Sequence, residues 1–229
     1  MNSIAIDCAT SKLSITAKKD IYTVKTVLDI GIRQSEKLLP AIDYVMKEIE
    51  LKPSDLDYTT LTLGPGTFTG LRLGLSALKA LTLSHDVPVY GIPSLDAYSY
   101  DFRHSRQRVL SLIEAKEDEF FLAIYSNGKK ILDDDDKSID EILSLFTDED
   151  EITVCGPGAG TFIYRAREIS PLIRFNLHSP FYDGCSALFE LTEQKIKEGL
   201  EPLKDYDGPI YVRKSEAEIV YEKNHKKED

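Results

Sequence analysis

Alternating and helix-spaced apolar residues divide the first hundred positions of the chain into seven elements. Leu13, Ile15 and Ala17 alternate with other residues, as in a strand that is buried on one face. Between Gln34 and Glu50, apolar residues recur every three or four positions, which is typical of an amphipathic helix. The predicted order is three strands, a helix, a strand, a helix and a strand, with the bounds Ser3–Ile6, Lys12–Ala17, Ile21–Leu28, Gln34–Glu50, Leu56–Leu63, Thr67–Ser84 and Val87–Gly91.

The second half of the chain repeats this order after a connection, Pro93–Gln107, for which a further helix is one interpretation. Each half contains a strand meander, a helix, a strand that ends in Gly-Pro-Gly and another helix. The sequence therefore predicts a duplicated α/β fold with lobes at 1–100 and 101–213, a cleft between them, and a charged tail at 214–229 that forms a fraying helix or is disordered. The predicted strands are Arg108–Glu114, Phe120–Ser126, Lys129–Leu132, Glu151–Cys155 and Ile173–Leu177, and the predicted helices are Ser138–Phe146, Phe162–Ile169 and Ser186–Glu198.

The glycine-rich turn that begins at Gly64-Pro65-Gly66-Thr67 is the most informative stretch, and residues 156–162 echo it in the second half. Glycine permits positive φ or a close backbone approach, and Thr67 is expected to cap the following helix through its hydroxyl. The exposed N–H groups of that helix can hold an anion, but a purely structural turn explains the same residues. The glycine spacing does not fit a dinucleotide-binding fingerprint, and Leu71 replaces the lysine of a phosphate-binding loop.

Small residues line one face of the second predicted helix, namely Gly70, Gly74 and Ala77, followed by Leu81. Small side chains at helical spacing allow another element to approach closely, so this face packs either inside the lobe or against a partner protein. A second local group, residues 7–11, follows the first strand and carries one carboxylate and two hydroxyls. These groups either orient a phosphate and a hydrated magnesium ion or cap the turn.

Composition and charge restrict the classes of function. With 229 residues, 42% of them hydrophobic, the chain can bury a sizeable core. A formal net charge of −11 argues against extended contact with nucleic-acid phosphates, which requires Lys and Arg. The sequence contains no apolar run of membrane-spanning length and no basic start of a secretory signal, so we expect a cytoplasmic protein without membrane contact.

Candidate metal ligands are sparse in the sequence. Asp133–Asp136 predicts a hydrated acidic loop, with cation binding as the weaker alternative. Three cysteines without paired spacing predict buried free thiols rather than a disulfide or a zinc site. The four histidines are isolated from one another in the sequence and do not form a paired metal-ligand motif: His85, His104, His178 and His225.

Three segments, in their order along the chain, resemble the TsaB (YeaZ) family: Ala5–Thr10, Gly64–Arg72 and Pro209–Glu218. The resemblance covers nearly the whole chain, and the middle segment is its most specific part. It implies a duplicated actin-like (ASKHA, ribonuclease H-like) fold of two lobes with a degenerate nucleotide site. It also implies a noncatalytic scaffold in the bacterial machinery that forms N6-threonylcarbamoyladenosine in tRNAs decoding codons that begin with A.

The partners that the resemblance implies are a TsaD paralogue, which carries the catalytic metal, and the ATPase TsaE. Contact with tRNA would then be indirect, through the complex, and a homodimer is expected when TsaD is absent. In the family, the heterodimer forms through the two helices of the first lobe. The residues expected at that interface are Leu38, Ile42, Thr67, Gly70, Gly74, Ala77 and Leu81.

The same resemblance implies weak ATP or ADP binding at most, with no required cofactor, no bound metal and no catalytic residue. Two departures place even this binding in doubt, because Gln34 stands where many relatives have His and Glu114 stands where an actin-like site often has Asp. The alternative hypothesis is an ATP-dependent phosphotransferase of the same superfamily. The residues predicted for a degenerate nucleotide site are Asp7, Thr10, Glu114, Gly156, Gly158 and Gly160.

Overall fold

Two five-stranded mixed sheets of the same topology form the framework of the protein. The computed structural model describes residues 1–116, 118–178 and 183–213, so the predicted tail at 214–229 lies outside the described residues. Counted along the chain within each sheet, the strands lie side by side in the order third, second, first, fourth, fifth in both sheets. In each sheet, the first strand is antiparallel to the second and parallel to the fourth, which confirms the duplicated actin-like α/β fold with two lobes.

The elements of the first lobe follow the predicted order closely. Helices α1 and α2 pack on one face of the first sheet, where apolar residues from both helices and from β1, β2 and β4 form a buried core. The bounds are β1 Ser3–Asp7, β2 Lys12–Lys19, β3 Tyr22–Asp29, α1 Gln34–Glu48, β4 Tyr58–Gly64, α2 Phe68–Thr82 and β5 Val89–Pro93.

A short helix, α3 (Ser94–Ser99), joins the lobes and confirms the helical interpretation of that connection. The second lobe then repeats the meander and the parallel strands around its own apolar core. Its elements are β6 Arg108–Glu114, β7 Glu119–Ser126, β8 Lys129–Ser138, α4 Ile139–Leu143, β9 Glu151–Cys155, α5 Ala159–Ile169 and β10 Arg174–Leu177, followed by α6 Cys185–Lys197.

Strand β8 is longer than predicted, and the acidic run Asp133–Asp136 lies within it rather than in a loop. Neighbouring cations offset the carboxylates: Lys130 Nζ lies 2.6 Å from Asp134, and Arg213 Nε lies 2.5 Å from Asp136. The strand tolerates this run because it lies at the edge of its sheet, where alternate side chains reach solvent. The expectation of a hydrated loop was therefore wrong.

The chain beyond the second sheet returns to the first lobe. Helix α6 packs against β1, β2, β4 and β5, on the sheet face opposite α1 and α2. Residues 203–211, which we call the C-terminal strap, continue along the first lobe, where Leu203 N–H donates to the Val89 carbonyl (2.7 Å) and Ile210 N–H to the Leu63 carbonyl (2.8 Å). Helix α6 and the C-terminal strap therefore pack on the first lobe, although the sequence analysis placed both in the lobe at 101–213.

The lobes meet through a third apolar cluster at the base of the cleft, which includes Leu71, Tyr98 and Ile113. Helix α3 reinforces the junction, since Tyr125 OH donates to Asp96 (2.7 Å) across the lobes. All three cysteines are buried and unpaired, which confirms the prediction of buried free thiols. The junction between the lobes therefore combines apolar packing with a hydrogen bond.

Candidate functional site

The cleft between the lobes contains a cavity of about 310 Å³. Its walls come from the turn after β1, the start of α2, the end of β6 and the Gly-Pro-Gly turn before α5. Thr10, Thr67, Glu114 and Pro157 line it, so the structure brings together the two glycine-rich turns and two of the predicted nucleotide-site residues. This matches the general position of ligand sites at the carboxyl ends of parallel strands.

Asp7 lies below this cavity and does not line it. The residue is 5% exposed, and its Oδ1 accepts hydrogen bonds from Ala9 N–H (3.2 Å), Thr62 Oγ1 (3.2 Å) and Tyr98 OH (2.9 Å). Its Oδ2 accepts from Gly184 N–H (2.9 Å) at the start of α6. Burial raises the pKa of the Asp7 carboxyl, and these donors partly offset that effect.

This arrangement does not fit a magnesium-bound nucleotide. The fold would use the carboxylate after β1 to orient the hydrated ion, but the donors around Asp7 occupy its acceptor positions. The N-terminal end of α6 and the hydroxyl of Tyr98 also contact the carboxylate directly. Asp7 instead joins β1, α3 and the first turn of α6, which makes it a structural anchor.

Thr10 and Glu114 remain at the cavity wall. Thr10 Oγ1 accepts from Lys12 N–H (3.3 Å), and Glu114 Oε2 accepts from the hydroxyl of Thr161 (3.1 Å). Arg165 lies 3.9 Å from the other Glu114 oxygen. Glu114 is exposed to solvent, so the cavity offers polar groups that can hold a small ligand without a fixed metal-binding carboxylate.

The second glycine turn supports the backbone rather than a ligand. Gly156 has φ of +91°, and a Cβ there would lie 2.5 Å from the Leu112 carbonyl oxygen. A Cβ on Gly158 would lie 2.7 Å from the Glu114 nitrogen. These close approaches seat the start of α5 on β6. Of the three glycines predicted for the nucleotide site, only Gly160 faces open space, with no atom within 4 Å of its Cβ position.

The first glycine turn is likewise packed against other backbone segments. Gly64 has φ of +125° and adjoins the Ile210 carbonyl, while Gly66 lies against Ala9. Thr67 N–H donates to the Ala9 carbonyl (2.7 Å), so this amide is not available to an anion. Thr67 occupies the N-cap position of α2, but its hydroxyl makes no capping hydrogen bond, contrary to the expectation from sequence.

The small-residue face of α2 lies inside the first lobe. A side chain on Gly70 would overlap the Cys8 carbonyl, and one on Gly74 would overlap the Cys8 sulfur. The intralobe alternative therefore accounts for both glycines, and a partner interface on the first-lobe helices stays a prediction. Of the residues predicted at that interface, Thr67 is exposed, Leu81 is partly buried, and the following are buried: Leu38, Ile42, Gly70, Gly74 and Ala77.

Sequence reasoning missed the residues that surround Asp7, because Tyr98 and Gly184 come from distant elements. It did single out Gln34, whose Nε2 donates to the Thr10 carbonyl (2.6 Å) and holds the turn beside the cavity. Within the described ranges, no group of three His, Cys, Asp or Glu side chains is placed to share a metal ion. His178 packs edge-on against Phe102, with ring centroids 4.5 Å apart.

In the part of the chain that the structure describes, none of the helices combines the length and the apolar character that crossing a bilayer requires.

A family model described as "TsaD: tRNA N6-adenosine threonylcarbamoyltransferase" matches residues 32–221. The fold is similar to that of "YeaZ from Pseudomonas aeruginosa", with a TM-score of 0.74 and 20% identity over 92% of this chain and 99% of that one.

Curated relatives named "tRNA threonylcarbamoyladenosine biosynthesis protein TsaB" include proteins from Bacillus subtilis and Escherichia coli. The protein from Bacillus subtilis (strain 168) is 23% identical over 155 residues, which are 66% of this chain and 68% of the relative. The protein from Escherichia coli (strain K12) is 27% identical over 132 residues, which are 56% of this chain and 57% of the relative. The matched part thus spans between about half and two thirds of these relatives.

Proposed function

The chain belongs to the TsaB (YeaZ) family of TsaD-like proteins, and from this premise we propose that it is a noncatalytic subunit for forming N6-threonylcarbamoyladenosine in tRNA. In this role it binds and supports a TsaD-type catalytic subunit. The names of the relatives from Bacillus subtilis and Escherichia coli support the pathway. The supporting role comes from the resemblance of the three sequence segments described above.

The environment of Asp7 is the observation that carries the noncatalytic assignment. An actin-like phosphotransferase needs a carboxylate in its cleft that orients magnesium and phosphate. Here the corresponding carboxylate is buried and hydrogen-bonded to four groups of its own chain. The cavity above it retains Thr10 and Glu114, which supports weak ATP or ADP binding at most and no required cofactor.

The net charge of −11 supports a role in which the partner supplies most of the tRNA contacts. We place the protein in the cytoplasm, where a TsaE-type ATPase is the third component of the assembly. In the absence of the TsaD-type subunit, the same first-lobe surface is expected to form a homodimer, because apolar side chains such as Leu39, 64% exposed, remain on α1.

Co-elution with the TsaD-type subunit of the same genome tests this function. The two purified proteins should elute from gel filtration as one complex, and modification of tRNA by the reconstituted system should require this chain. Threonylcarbamoylation at an unchanged rate without the chain would overturn the proposal. Glu114→Ala is a useful variant here, because a noncatalytic subunit should tolerate it without loss of modification.

The alternative, an ATP-dependent phosphotransferase, makes different predictions for the isolated chain. Magnesium-ATP should then bind tightly in calorimetry, and Glu114→Ala should abolish turnover. The hydrogen bonds that surround Asp7 argue against this outcome. ATP turnover by the isolated chain with a defined acceptor, lost in the Glu114 variant, would favour the kinase over the scaffold.

A further inference from the structure

A single exposed arginine on α2, Arg72, lies beside a stacked pair of aromatic rings. The rings of Phe68 and Tyr211 stack with centroids 4.5 Å apart and an interplanar angle of 24°. The guanidinium carbon of Arg72 lies 5.7 Å from the first centroid and 5.4 Å from the second. Its Nε also donates to Tyr211 OH (2.7 Å), so three contacts fix the orientation of the guanidinium.

The C-terminal strap holds Tyr211 in this position. Next to Tyr211, Ile210 N–H donates to the Leu63 carbonyl (2.8 Å). Further along α2, Lys79 Nζ donates to the carbonyls of residues 204, 205 and 207, at 2.9, 2.7 and 3.0 Å. Because the strap is attached at both places, the ring of Tyr211 and the guanidinium of Arg72 are already ordered before any partner arrives.

The outer part of the guanidinium remains open for a ligand. Among residues 1–116, 118–178 and 183–213, no hydrogen-bond or ion-pair partner contacts the two Nη groups of Arg72, and the side chain is exposed. Arg108 and Arg213, in contrast, are engaged in ion pairs with carboxylates of this chain. An oriented arginine with two free donor groups matches the geometry of a carboxylate, which accepts two parallel hydrogen bonds.

We propose that Phe68, Arg72, Ile210 and Tyr211, here called the Arg72 patch, bind the TsaD-type subunit, and that Arg72 pairs with a carboxylate of that subunit. This inference rests on the proposed function. Ile210 is 45% exposed and Tyr211 is 37% exposed, so apolar surface flanks the cation. Tyrosine and arginine are the residue types that most often dominate the binding energy of protein interfaces.

The charge of the whole chain favours a protein carboxylate over an RNA phosphate as the ligand of Arg72. At a net charge of −11, the chain as a whole repels an extended strand of phosphates. One carboxylate beside an apolar side chain meets only the guanidinium and the two rings. The patch therefore fits a local ion pair inside a mixed interface, rather than an extended polyanion.

Calorimetric titration with the TsaD-type subunit tests the patch. Arg72→Ala should weaken binding by about ten-fold or more, because the partner carboxylate loses both hydrogen bonds. Arg72→Lys, which keeps the charge but not the fork, should also weaken binding measurably. The matched control is Arg167→Ala, which removes an exposed helical arginine of the second lobe and should leave the affinity unchanged. Raising the ionic strength should weaken the wild-type complex more than the Arg72→Ala complex.

The outcomes separate the two proposals. Absence of a complex with the wild-type chain would overturn both the function and the patch. A wild-type complex that Arg72→Ala leaves at full affinity would overturn the patch alone. Loss of tRNA binding in Arg72→Ala, with subunit binding intact, would also overturn it by assigning the arginine to phosphate. Circular dichroism of each variant verifies folding, and Tyr211→Phe, which removes only the hydroxyl, should give an intermediate loss of affinity.

Discussion

Substitution of Asp7 by alanine tests the assignment of this residue as a structural anchor. The change removes the acceptor shared by two backbone N–H groups, of Ala9 and Gly184, and by the hydroxyls of Thr62 and Tyr98. A buried donor left without a partner costs about 1–3 kcal/mol. The hydroxyls can rotate toward other acceptors, whereas the two amides are fixed by their helix and turn. Removing the buried carboxylate also relieves its own desolvation cost.

We expect Asp7→Ala to lower the free energy of unfolding by about 2–4 kcal/mol, because two fixed amides each lose their acceptor and the relieved desolvation of the carboxylate offsets part of that cost. That is a large share of the about 5–15 kcal/mol typical of a natural protein. The measurement is urea unfolding followed by circular dichroism at neutral pH. Tyr98→Phe, which removes a single donor, should cost about 1 kcal/mol.

Glu114→Ala is the matched control, because both carboxylates were predicted for the same nucleotide site but only Glu114 is exposed. Its unfolding free energy should stay within about 0.5 kcal/mol of the wild type. If Asp7 were a metal ligand open to the cleft, its removal would relieve repulsion and leave stability unchanged or higher. An Asp7→Ala protein within about 1 kcal/mol of the wild type would refute the anchor.

Two further predictions follow from the same contacts. Gly70→Ala should lower the melting temperature and reduce the free energy of unfolding by about 1–3 kcal/mol, because the new methyl overlaps the Cys8 carbonyl. Helix propensity alone predicts the opposite, a stabilisation of about 1 kcal/mol. A higher melting temperature would contradict the packing. Burial raises the pKa of Asp7, so the folded state binds this proton more tightly than the unfolded state. The stability that this residue contributes is therefore present at low pH and lost as pH rises through the folded-state pKa. The free energy of unfolding of the wild type should rise relative to that of Asp7→Asn upon acidification. A difference that does not depend on pH would show that Asp7 titrates equally in the folded and unfolded states.

The hydrophobic pattern predicted the framework because both sheets follow simple periodicities. The strand Arg108–Glu114 and the strand Glu151–Cys155 were predicted with the bounds that the structure shows. The pattern failed at Asp133–Asp136, since carboxylates are disfavoured in strands and no local signal announces their partners. Arg213, which neutralises Asp136, lies 77 residues away along the chain.

The site could be predicted only in its local parts. The turn after β1 and the two glycine turns do meet at one cavity, as parallel strand ends require. The buried, hydrogen-bonded state of Asp7 depends on Tyr98 and Gly184, which are 91 and 177 residues distant in sequence. No local spacing could therefore predict it. The small face of α2 was open to two interpretations, because spacing shows that something approaches closely but not which element does.

The return of α6 and the C-terminal strap to the first sheet has a consequence for synthesis of the protein. The ribosome releases β1 to β5 long before it releases α6, which covers the other face of that sheet. During translation, Ala5, Tyr58 and Ile92 therefore await their apolar cover while the whole second lobe is made. The second lobe, whose strands are contiguous in the chain, can mature first, and the nascent N-terminal half keeps this apolar face uncovered until α6 is released.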